Sequence, residues 1–299
     1  MGCETVLVLG GSGLLGHHCS SLFEKEYRVI KTFGNNPIVG PDSFKLDAFN
    51  AKNSLVRLIK EIKPALIINT IAYVTVDGCE TDKRTAECLN VKFVKDLVAA
   101  MACAGAGSTH LIHISSDSVY GERNSGLPWV EEDRKAPLSV YADTKLNSES
   151  MALGHTGPTT ILRTAFYGIN PYAESGLLSW VITAANNRIA FDGWDNIFFS
   201  PVSAERLAAG IKSIFESGVV GIFNAGSLDA CNKYDFCTSV CDFLDIDASI
   251  NRVTCDNSEM ISIRPTYTVL ESCKLRRLIP WSISWRDDLR EYLGKLERL

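Results

Sequence analysis

The chain has 299 residues, of which 46% are hydrophobic and 22% are charged, and its formal net charge is −5. This composition is that of a globular protein and excludes disordered, collagen-like and coiled-coil chains. The acidic balance argues against binding to nucleic acid or to an anionic membrane surface, so any phosphate-bearing ligand has to be held by local devices.

The first two thirds of the sequence alternate between strand and helix patterns. Predicted strands cover 5–9, 28–33, 65–69, 109–115 and 159–164, and predicted helices cover 13–25, 51–62, 81–104 and 139–153. Strands that alternate with helices and are apolar on both faces are typical of a doubly wound parallel sheet. We therefore expect an α/β protein with a Rossmann-type domain over residues 1–165.

The last third is less regular. Loops rich in Asn, Gly, Pro and Tyr alternate with shorter predicted helices at 203–217, 233–244 and 284–298. We expect residues 166–299 to form a smaller C-terminal α/β substrate-binding lobe that is interleaved with the first domain. The final helix, from Trp285, would pack on the fold or on a second subunit, so a homodimer is left open.

Cysteine usage and apolar runs bear on the cellular compartment. The ten cysteines form no C-x-x-C motif, and the five histidines show no ligand spacing, so we expect reduced thiols and no metal site. The longest apolar run, 97–107, is too short to cross a bilayer, and no signal peptide is predicted. We expect a cytoplasmic protein that is not bound to a membrane.

A glycine-rich turn follows the first strand with the spacing G-x-x-G-x-x-G. Gly10 would permit a tight turn, Gly13 would let the backbone approach a pyrophosphate, and Gly16 would let the helix pack closely on the strand. The N–H groups and the positive dipole end of the next helix would then hold the phosphates. The predicted contacts in this turn also include Ser12, Leu14 and Leu15.

The end of the second strand bears on the choice of cofactor. NAD sites place Asp or Glu there, but this chain has Lys31 and, further on, Asn35 and Asn36, which could accept a 2′-phosphate. NADP is therefore favoured, and NAD stays open. Asp47 is a candidate for the adenine edge; the alternative is an acid at the N-terminus of the helix 51–62.

Two further segments carry potential catalytic groups. Tyr141 and Lys145 are spaced Y-x-x-x-K at the start of a predicted helix, where an ammonium one turn away would lower the pKa of the phenol. Ser116 follows a buried strand at the carboxyl edge of the sheet, where α/β proteins bind ligands. Its hydroxyl could bond a substrate carbonyl together with the tyrosine.

With these segments the chain resembles the extended short-chain dehydrogenase/reductases, and among them it is most similar to the dTDP-4-dehydrorhamnose reductase family. The resemblance covers nearly the whole chain. It is carried by Gly10–Gly16, Asn69–Glu80, Asn90, Ser115–Asp117, Pro137–Lys145, Leu162–Thr164, Ser200–Val202, Arg264-Pro265, Thr268, Leu270 and Lys274-Leu275.

The resemblance implies roles for individual residues. Ser116 would polarise a ketone, Tyr141 would donate a proton, and Lys145 would hold the nicotinamide ribose. Further implied contacts are Thr70, Ile71 and Ala72 for the cofactor, Val76, Asp117, Ser118 and Phe166 for the sugar, and Arg264 for the nucleotide. Two positions depart from the family: Ser118 stands where a tyrosine is common and Phe166 where a tryptophan is common.

The leading hypothesis is an NAD(P)H-dependent reductase that moves hydride to C4 of a nucleotide-linked 4-keto-6-deoxy sugar. A second hypothesis is a non-catalytic, NADP-binding subunit similar to the regulatory β subunit of methionine adenosyltransferase, which would bind a catalytic partner. A nucleotide-sugar epimerase is a third. A dehydratase is disfavoured because Ser116 is followed by Asp117-Ser118 and not by an Asp-Glu pair.

Overall fold

The computed structural model describes residues 4–296. The strands, in chain order, are β1 (Thr5–Leu9), β2 (Arg28–Phe33), β3 (Ser43–Lys45), β4 (Leu66–Asn69), β5 (His110–Ile114), β6 (Thr159–Arg163), β7 (Phe166–Tyr167), β8 (Phe191–Trp194), β9 (Phe198–Phe199), β10 (Val202–Ser203), β11 (Gly221–Asn224), β12 (Cys231–Asn232) and β13 (Ile250–Val253). The α-helices are α1 (Leu14–Phe23), α2 (Lys52–Ile62), α3 (Val76–Thr81), α4 (Lys83–Ala86), α5 (Phe93–Ala104), α6 (Val140–Ala152), α7 (Leu177–Asn186), α8 (Ala204–Glu216), α9 (Lys233–Phe243), α10 (Cys273–Arg276) and α11 (Trp285–Leu296).

Seven strands form one parallel sheet in the order β11-β6-β5-β4-β1-β2-β3. Every pairing in it is parallel; for example, Val6 of β1 lies opposite Val29 of β2 and Leu66 of β4. The strand order reverses beside β1, which opens a crevice at the carboxyl ends of the strands. The prediction of a Rossmann-type α/β fold is confirmed.

The sheet is buried on both faces because successive side chains of a strand point to opposite sides. Val6 and Val8 of β1 join a core with α1 and α8 on one face. Leu7 and Leu9 join a second core with α2 and α5 on the other face. This double burial explains why the strands consist of almost uninterrupted apolar residues.

The predicted helix 81–104 is divided in the structure. Helix α4 is followed by a π-helical turn, Glu87–Lys92, and only then by α5. The amide group of Asn90, inside that turn, bonds both the N–H and the C=O of Tyr73. The buried Asn90 side chain thus holds the backbone of the segment after β4. π-Helical turns like this one are frequently found at functional sites.

Residues after β6 build a second layer from short strand pairs and helices. The pairs are β7 with β10, β8 with β13, and β9 with β12. A separate core holds them against α7, α9 and α11, around Tyr167, Phe236 and Trp285. The seventh strand of the main sheet, β11, also comes from this part of the chain, and the division at residue 165 stays a prediction.

The predicted reduced cysteines are mostly inside the protein. Six of the nine cysteines between residues 4 and 296 are buried, and all nine are free thiols. Cys3 lies outside the described residues. Over the same range, no helix combines the length and the apolar character that crossing a membrane requires.

A glycine in α8 provides a test of the packing. A Cβ at Gly210 would lie 2.4 Å from the Trp281 ring, whereas a Cβ at Gly294 of α11 would meet nothing within 4 Å. We expect Gly210→Ala to lower the free energy of unfolding by about 1–3 kcal/mol through overpacking. Gly294→Ala, as the control, should raise it by about 0.5–1 kcal/mol through helix propensity. Urea unfolding measures both, and equal effects would contradict this packing.

Candidate active site

The glycine-rich turn after β1 has the shape that a dinucleotide-binding loop needs. Gly10 has a φ of +88°, and its carbonyl oxygen accepts a hydrogen bond from the amide of Gly13 at 2.8 Å. A Cβ at Gly16 would lie 2.1 Å from the same oxygen, so only glycine fits there. No side chain caps the start of α1, and its first N–H groups are therefore available to a phosphate.

The other residues predicted in this turn hold it in place. Ser12 is buried, and Leu15 packs in the core beneath the turn. Leu14 is half-buried and borders the same core. Leu14 and Leu15 therefore anchor α1 with their side chains, and a ligand would meet their backbone.

A cleft of about 590 Å³ opens between the turn and the carboxyl ends of β2, β3 and β4. Its lining includes the predicted cofactor residues Gly10, Gly13, Asn35, Asp47, Thr70, Ile71 and Ala72. The remaining lining residues are Thr32, Phe33, Gly34, Lys45, Leu46, Ala48, Phe49 and Leu89. The structure therefore brings residues at the carboxyl ends of β1, β2, β3 and β4 together around one cleft.

Asp47 lies at this cleft, as expected, and Lys31 is not among its lining residues. The Asp47 carboxylate caps a short 3₁₀ turn, Ala48–Asn50, by accepting from the Phe49 amide at 3.0 Å, and it also lines the cleft. Lys31 is occupied by an ion pair with Glu24. Lys45, which the sequence did not single out, lines the cleft instead and has no ion pair within residues 4–296.

Two of the three candidate catalytic side chains, Ser116 and Tyr141, come together after β5, and none of the three is among the residues that line the cleft. Ser139 caps α6 by accepting from the Ala142 amide at 3.2 Å, which places Tyr141 in the first turn and Lys145 in the second. Ser116 follows β5 and caps the short helix Asp117–Tyr120. The Ser116 hydroxyl lies beside the Tyr141 phenol, close enough to lower its pKa, and donates to the Asp117 carboxylate at 3.1 Å.

The electrostatics of the trio differ from the expectation. Burial raises the pKa of Tyr141 to about 12, although the nearby Ser116 hydroxyl works in the opposite direction. Burial also lowers the pKa of Lys145 to about 8. The Lys145 ammonium donates to the carbonyl oxygen of Ile114 at 2.6 Å, so it is directed at β5. Lys145 therefore does not lower the pKa of Tyr141 here, contrary to the expectation.

Buried polar residues to which the sequence assigned no role support α6 from behind. Asn90 donates to the Thr144 hydroxyl at 2.9 Å, and this contact joins the π-helical turn to α6. Glu149 accepts from the Ser115 hydroxyl and forms a bidentate pair with Arg163, at 2.9 and 2.7 Å. In the sequence these contacts are indicated only by the polar residues Thr144, Lys145, Ser148 and Glu149 on one face of α6. The residues that they bond cannot be read from the sequence, because they lie far away in the chain.

Asp117 is the centre of a polar cluster above Ser116. Its carboxylate accepts from the hydroxyls of Ser116 at 3.1 Å and Ser118 at 3.3 Å. Burial raises the pKa of Asp117, and the nearby Lys233 ammonium opposes that shift. Both predicted polar contacts of the sugar therefore lie next to the candidate catalytic serine.

Two cations from the second layer face this cluster. Lys233 begins α9, and its Nζ lies 3.4 Å from the centre of the Phe199 ring. Burial lowers the pKa of Lys233; the Asp117 carboxylate opposes that shift, and the charge of Arg264 adds to it. Arg264 pairs through Nη2 with Asp77 at 2.9 Å. Its Nη1 is buried and has no hydrogen-bond partner within residues 4–296. A donor in this state is costly unless a ligand satisfies it.

A second cleft, of about 550 Å³, lies beyond Lys233. Its lining consists of Leu177, Trp180, Ala190, Phe191, Asp192, Trp194, Lys233 and Cys237. The rings of Trp180 and Phe191 meet edge to face at 5.0 Å between centroids. The cleft thus combines aromatic surface with one cation, Lys233, whose charge also acts on Asp117.

The remaining predicted sugar contacts are placed differently. Val76 is the first residue of α3, one position before the partner of Arg264. Phe166 pairs with Val202 and packs against the central core. Its contact with a sugar stays a prediction. Within residues 4–296, no group of three or more His, Cys, Asp or Glu side chains is placed to hold a metal ion.

The chain matches a known protein family over nearly its whole length. The family described as RmlD substrate binding domain matches residues 4–298. The dTDP-4-dehydrorhamnose reductase of Escherichia coli (strain K12) is 27% identical over 245 residues, which cover 79% of this chain and 76% of the relative. Subunit beta of methionine adenosyltransferase 2 from Pongo abelii is 26% identical over 302 residues, 96% of this chain and 88% of the relative.

A solved structure supports the fold. The dTDP-4-dehydrorhamnose reductase of Bacillus anthracis, in complex with NADP, superposes with a TM-score of 0.85 at 21% identity. The superposition covers 98% of this chain and all of the other. At this level of identity the likeness establishes the architecture.

The burial of Lys145 predicts a pH-dependent difference in stability. Its pKa in the folded state is about 8, below the ordinary value of 10.5, so between these pH values the unfolded chain holds a proton that the folded chain has released. The wild type therefore gains stability as the pH rises through this window. Lys145→Met lacks this gain, and we expect its stability relative to wild type to fall there by up to about 3 kcal/mol.

Urea unfolding at a series of pH values from 7 to 11 measures this difference. Lys60→Met, which replaces an exposed lysine of α2, is the matched control, and its difference from wild type should not change across the window. A pH-independent difference for Lys145→Met would contradict a buried ammonium at this position.

Proposed function

The chain belongs to the RmlD substrate binding domain family, and we propose that it is an NADPH-dependent reductase of a nucleotide-linked 4-keto-6-deoxy sugar. The observation that carries this proposal is the placement of Ser116 and Tyr141 side by side after β5, whose neighbour β4 leads into the cleft lined by the glycine-rich turn. Relatives in the family include NAD(P)-dependent reductases.

The residues present fit a dinucleotide. The carbonyl of Gly10 lies where a side chain at position 16 would clash, and α1 offers uncapped N–H groups. The cleft beside them is long enough to include the ends of three strands. A bound nicotinamide would supply the hydride. Lys145 would hold its ribose, and Lys45 would meet the 2′-phosphate that distinguishes NADPH.

The chain's own groups would then handle the proton. Because the pKa of Tyr141 is raised to about 12, its phenol stays protonated at neutral pH and can act as an acid. The Ser116 hydroxyl would turn from Asp117 to the ketone oxygen of the substrate, and the Tyr141 phenol would point at the same oxygen. Ser116 would polarise the carbonyl, and Tyr141 would transfer its proton to the oxygen as C4 becomes an alcohol.

The second layer supports a nucleotide-linked substrate. Arg264 carries a buried N–H without a partner within residues 4–296, and Lys233 stands close enough for the two charges to interact. Two cations in such a position favour a diphosphate. The aromatic cleft with Trp180, Phe191 and Trp194 has the volume and the flat surfaces that a nucleobase needs.

A second candidate function is a regulatory subunit. The similarity to subunit beta of methionine adenosyltransferase 2 extends over 96% of this chain. Its sequence identity, 26%, is close to the 27% found for the reductase of Escherichia coli. Under this hypothesis the protein binds NADP and a catalytic partner without reducing a sugar. A cytoplasmic location stays a prediction under both hypotheses.

The reductase proposal is tested by replacing the proton donor. We expect the wild type to oxidise NADPH when it is given a dTDP-linked 4-keto-6-deoxy sugar. Tyr141→Phe removes the proton donor, and it should lower kcat at least about a hundredfold while NADPH binding survives. Tyr27→Phe, at a hydroxyl that bonds Glu216, is the control.

Two results would overturn the assignment. Unchanged turnover in Tyr141→Phe would exclude this residue as the acid. No turnover by the wild type on a panel of nucleotide sugars, together with stoichiometric binding to a methionine adenosyltransferase catalytic subunit, would establish the regulatory alternative.

The cofactor preference is tested by two lysines. Lys45→Met removes the unpaired cation of the cleft, so we expect the Kd for NADPH to rise about tenfold and that for NADH to change little. Lys31→Met is the matched control, because Lys31 already pairs with Glu24, and it should affect both cofactors weakly. Fluorescence titration measures both constants, and the reverse order of effects would move the 2′-phosphate contact to Lys31.

A further inference from the structure

A line of buried hydrogen bonds joins the cofactor-lining segment after β4 to the catalytic helix. The Asn69 amide oxygen accepts from the backbone N–H of Ile71 at 3.2 Å, and its amide nitrogen lies 3.1 Å from Nδ1 of His113. On the other side of the ring, Nε2 of His113 lies 2.8 Å from the hydroxyl of Ser148. That hydroxyl donates to the carbonyl oxygen of Lys145 at 2.6 Å.

Hydrogen-bond chemistry fixes the direction of this line. The single hydroxyl proton of Ser148 is used on Lys145, so Nε2 of His113 has to be the protonated nitrogen and donate to Ser148. Nδ1 of His113 is then an acceptor. The amide nitrogen of Asn69 is available as its donor, since the amide oxygen is engaged by Ile71. All four contacts are consistent with this one tautomer.

Burial makes the bridge insensitive to pH. Asn69 and His113 are each 1% exposed and Ser148 is fully buried. Burial first, and then the Lys145 charge, lower the pKa of His113 well below 6.5, so the ring is neutral wherever the protein is folded near neutral pH. A neutral imidazole has one donor and one acceptor, which are the two functions that its neighbours require.

From this geometry we propose that His113 is a positioning residue that couples the cofactor-lining segment 70–72 to Lys145. Its Nδ1 fixes Asn69 and, through it, the Ile71 amide at the cleft. Its Nε2 fixes Ser148 and the helical turn that carries Lys145. The proposal rests on the proposed function for its kinetic consequences, but the coupling itself is a property of the chain.

Two variants separate the halves of the bridge. In His113→Gln the amide nitrogen can take the place of Nε2, which keeps the donor to Ser148 and removes the acceptor for Asn69. In His113→Asn the amide oxygen can take the place of Nδ1, which keeps the acceptor for Asn69 and removes the donor. Ser148→Ala is a second route to losing the half at α6.

The expected result is a split between binding and turnover. His113→Gln should raise the Kd for NADPH about tenfold and lower kcat less, since it leaves the Asn69 amide without its partner. His113→Asn and Ser148→Ala should lower kcat about tenfold and change the Kd less. His155→Gln, which replaces a buried histidine bonded to the Thr109 carbonyl, should produce no split.

Amide hydrogen exchange of the free protein provides a readout that needs neither cofactor nor substrate. His113→Gln should speed exchange in residues 69–73, and His113→Asn should speed it in residues 140–149. If the two variants impair Kd, kcat and exchange in the same proportions, His113 has a general structural role and the proposal is wrong. If the wild type reduces no sugar, the proposed function fails, and the Kd and exchange data still decide the coupling.

Discussion

The buried polar face of α6 is the constraint on which the rest of the site depends. Lys145, Ser148 and Glu149 lie on the side of the helix that packs on the sheet, and each is at most 3% exposed. Taking such groups out of water is costly, so each requires a fixed partner. The Ile114 carbonyl, His113 and Arg163 supply these partners, and all three lie on β5 or β6. Buried hydrogen bonds and an ion pair therefore fix the position of α6 on the sheet, together with apolar packing.

The same requirement extends from α6 to the edge strand β11 of the main sheet. Arg163, after pairing with Glu149, also donates to the Tyr120 hydroxyl at 2.9 Å, which in turn donates to Asn224 at 2.7 Å. Asn224 ends β11, and its backbone N–H donates to the buried carboxylate of Glu131. A continuous network thus ties α6 to the seventh strand of the sheet. Loss of any internal member would leave a buried charge or donor without compensation.

Local features of the fold and site could be predicted from the sequence, and non-local ones could not. The glycine spacing 10-13-16 and the pair Tyr141–Lys145 depend on contacts within one or two turns, so their patterns are readable directly. Strand β11 was not predicted because its four residues, Gly221–Asn224, carry little strand pattern and are fixed by pairing with β6. Lys233 likewise looks like an ordinary helix-start residue. Its position opposite Asp117, more than a hundred residues earlier, follows only from the tertiary fold.

The distribution of charge explains how an acidic protein can suit an anionic ligand. Many of its lysines and arginines form ion pairs with carboxylates, as Lys31 does with Glu24. Lys45 at the first cleft has no ion pair within residues 4–296, and neither does Lys233 at the second; Arg264 uses one nitrogen for Asp77 and leaves the other buried and unpaired. An unpaired donor in a buried position lowers stability until a ligand accepts its hydrogen bond. Such a cost in the free protein increases the gain on binding, because the ligand restores hydrogen bonds that water no longer provides. Arg264 is therefore the cation at which an accepting ligand would recover the most, because its Nη1 is buried and unpaired within residues 4–296.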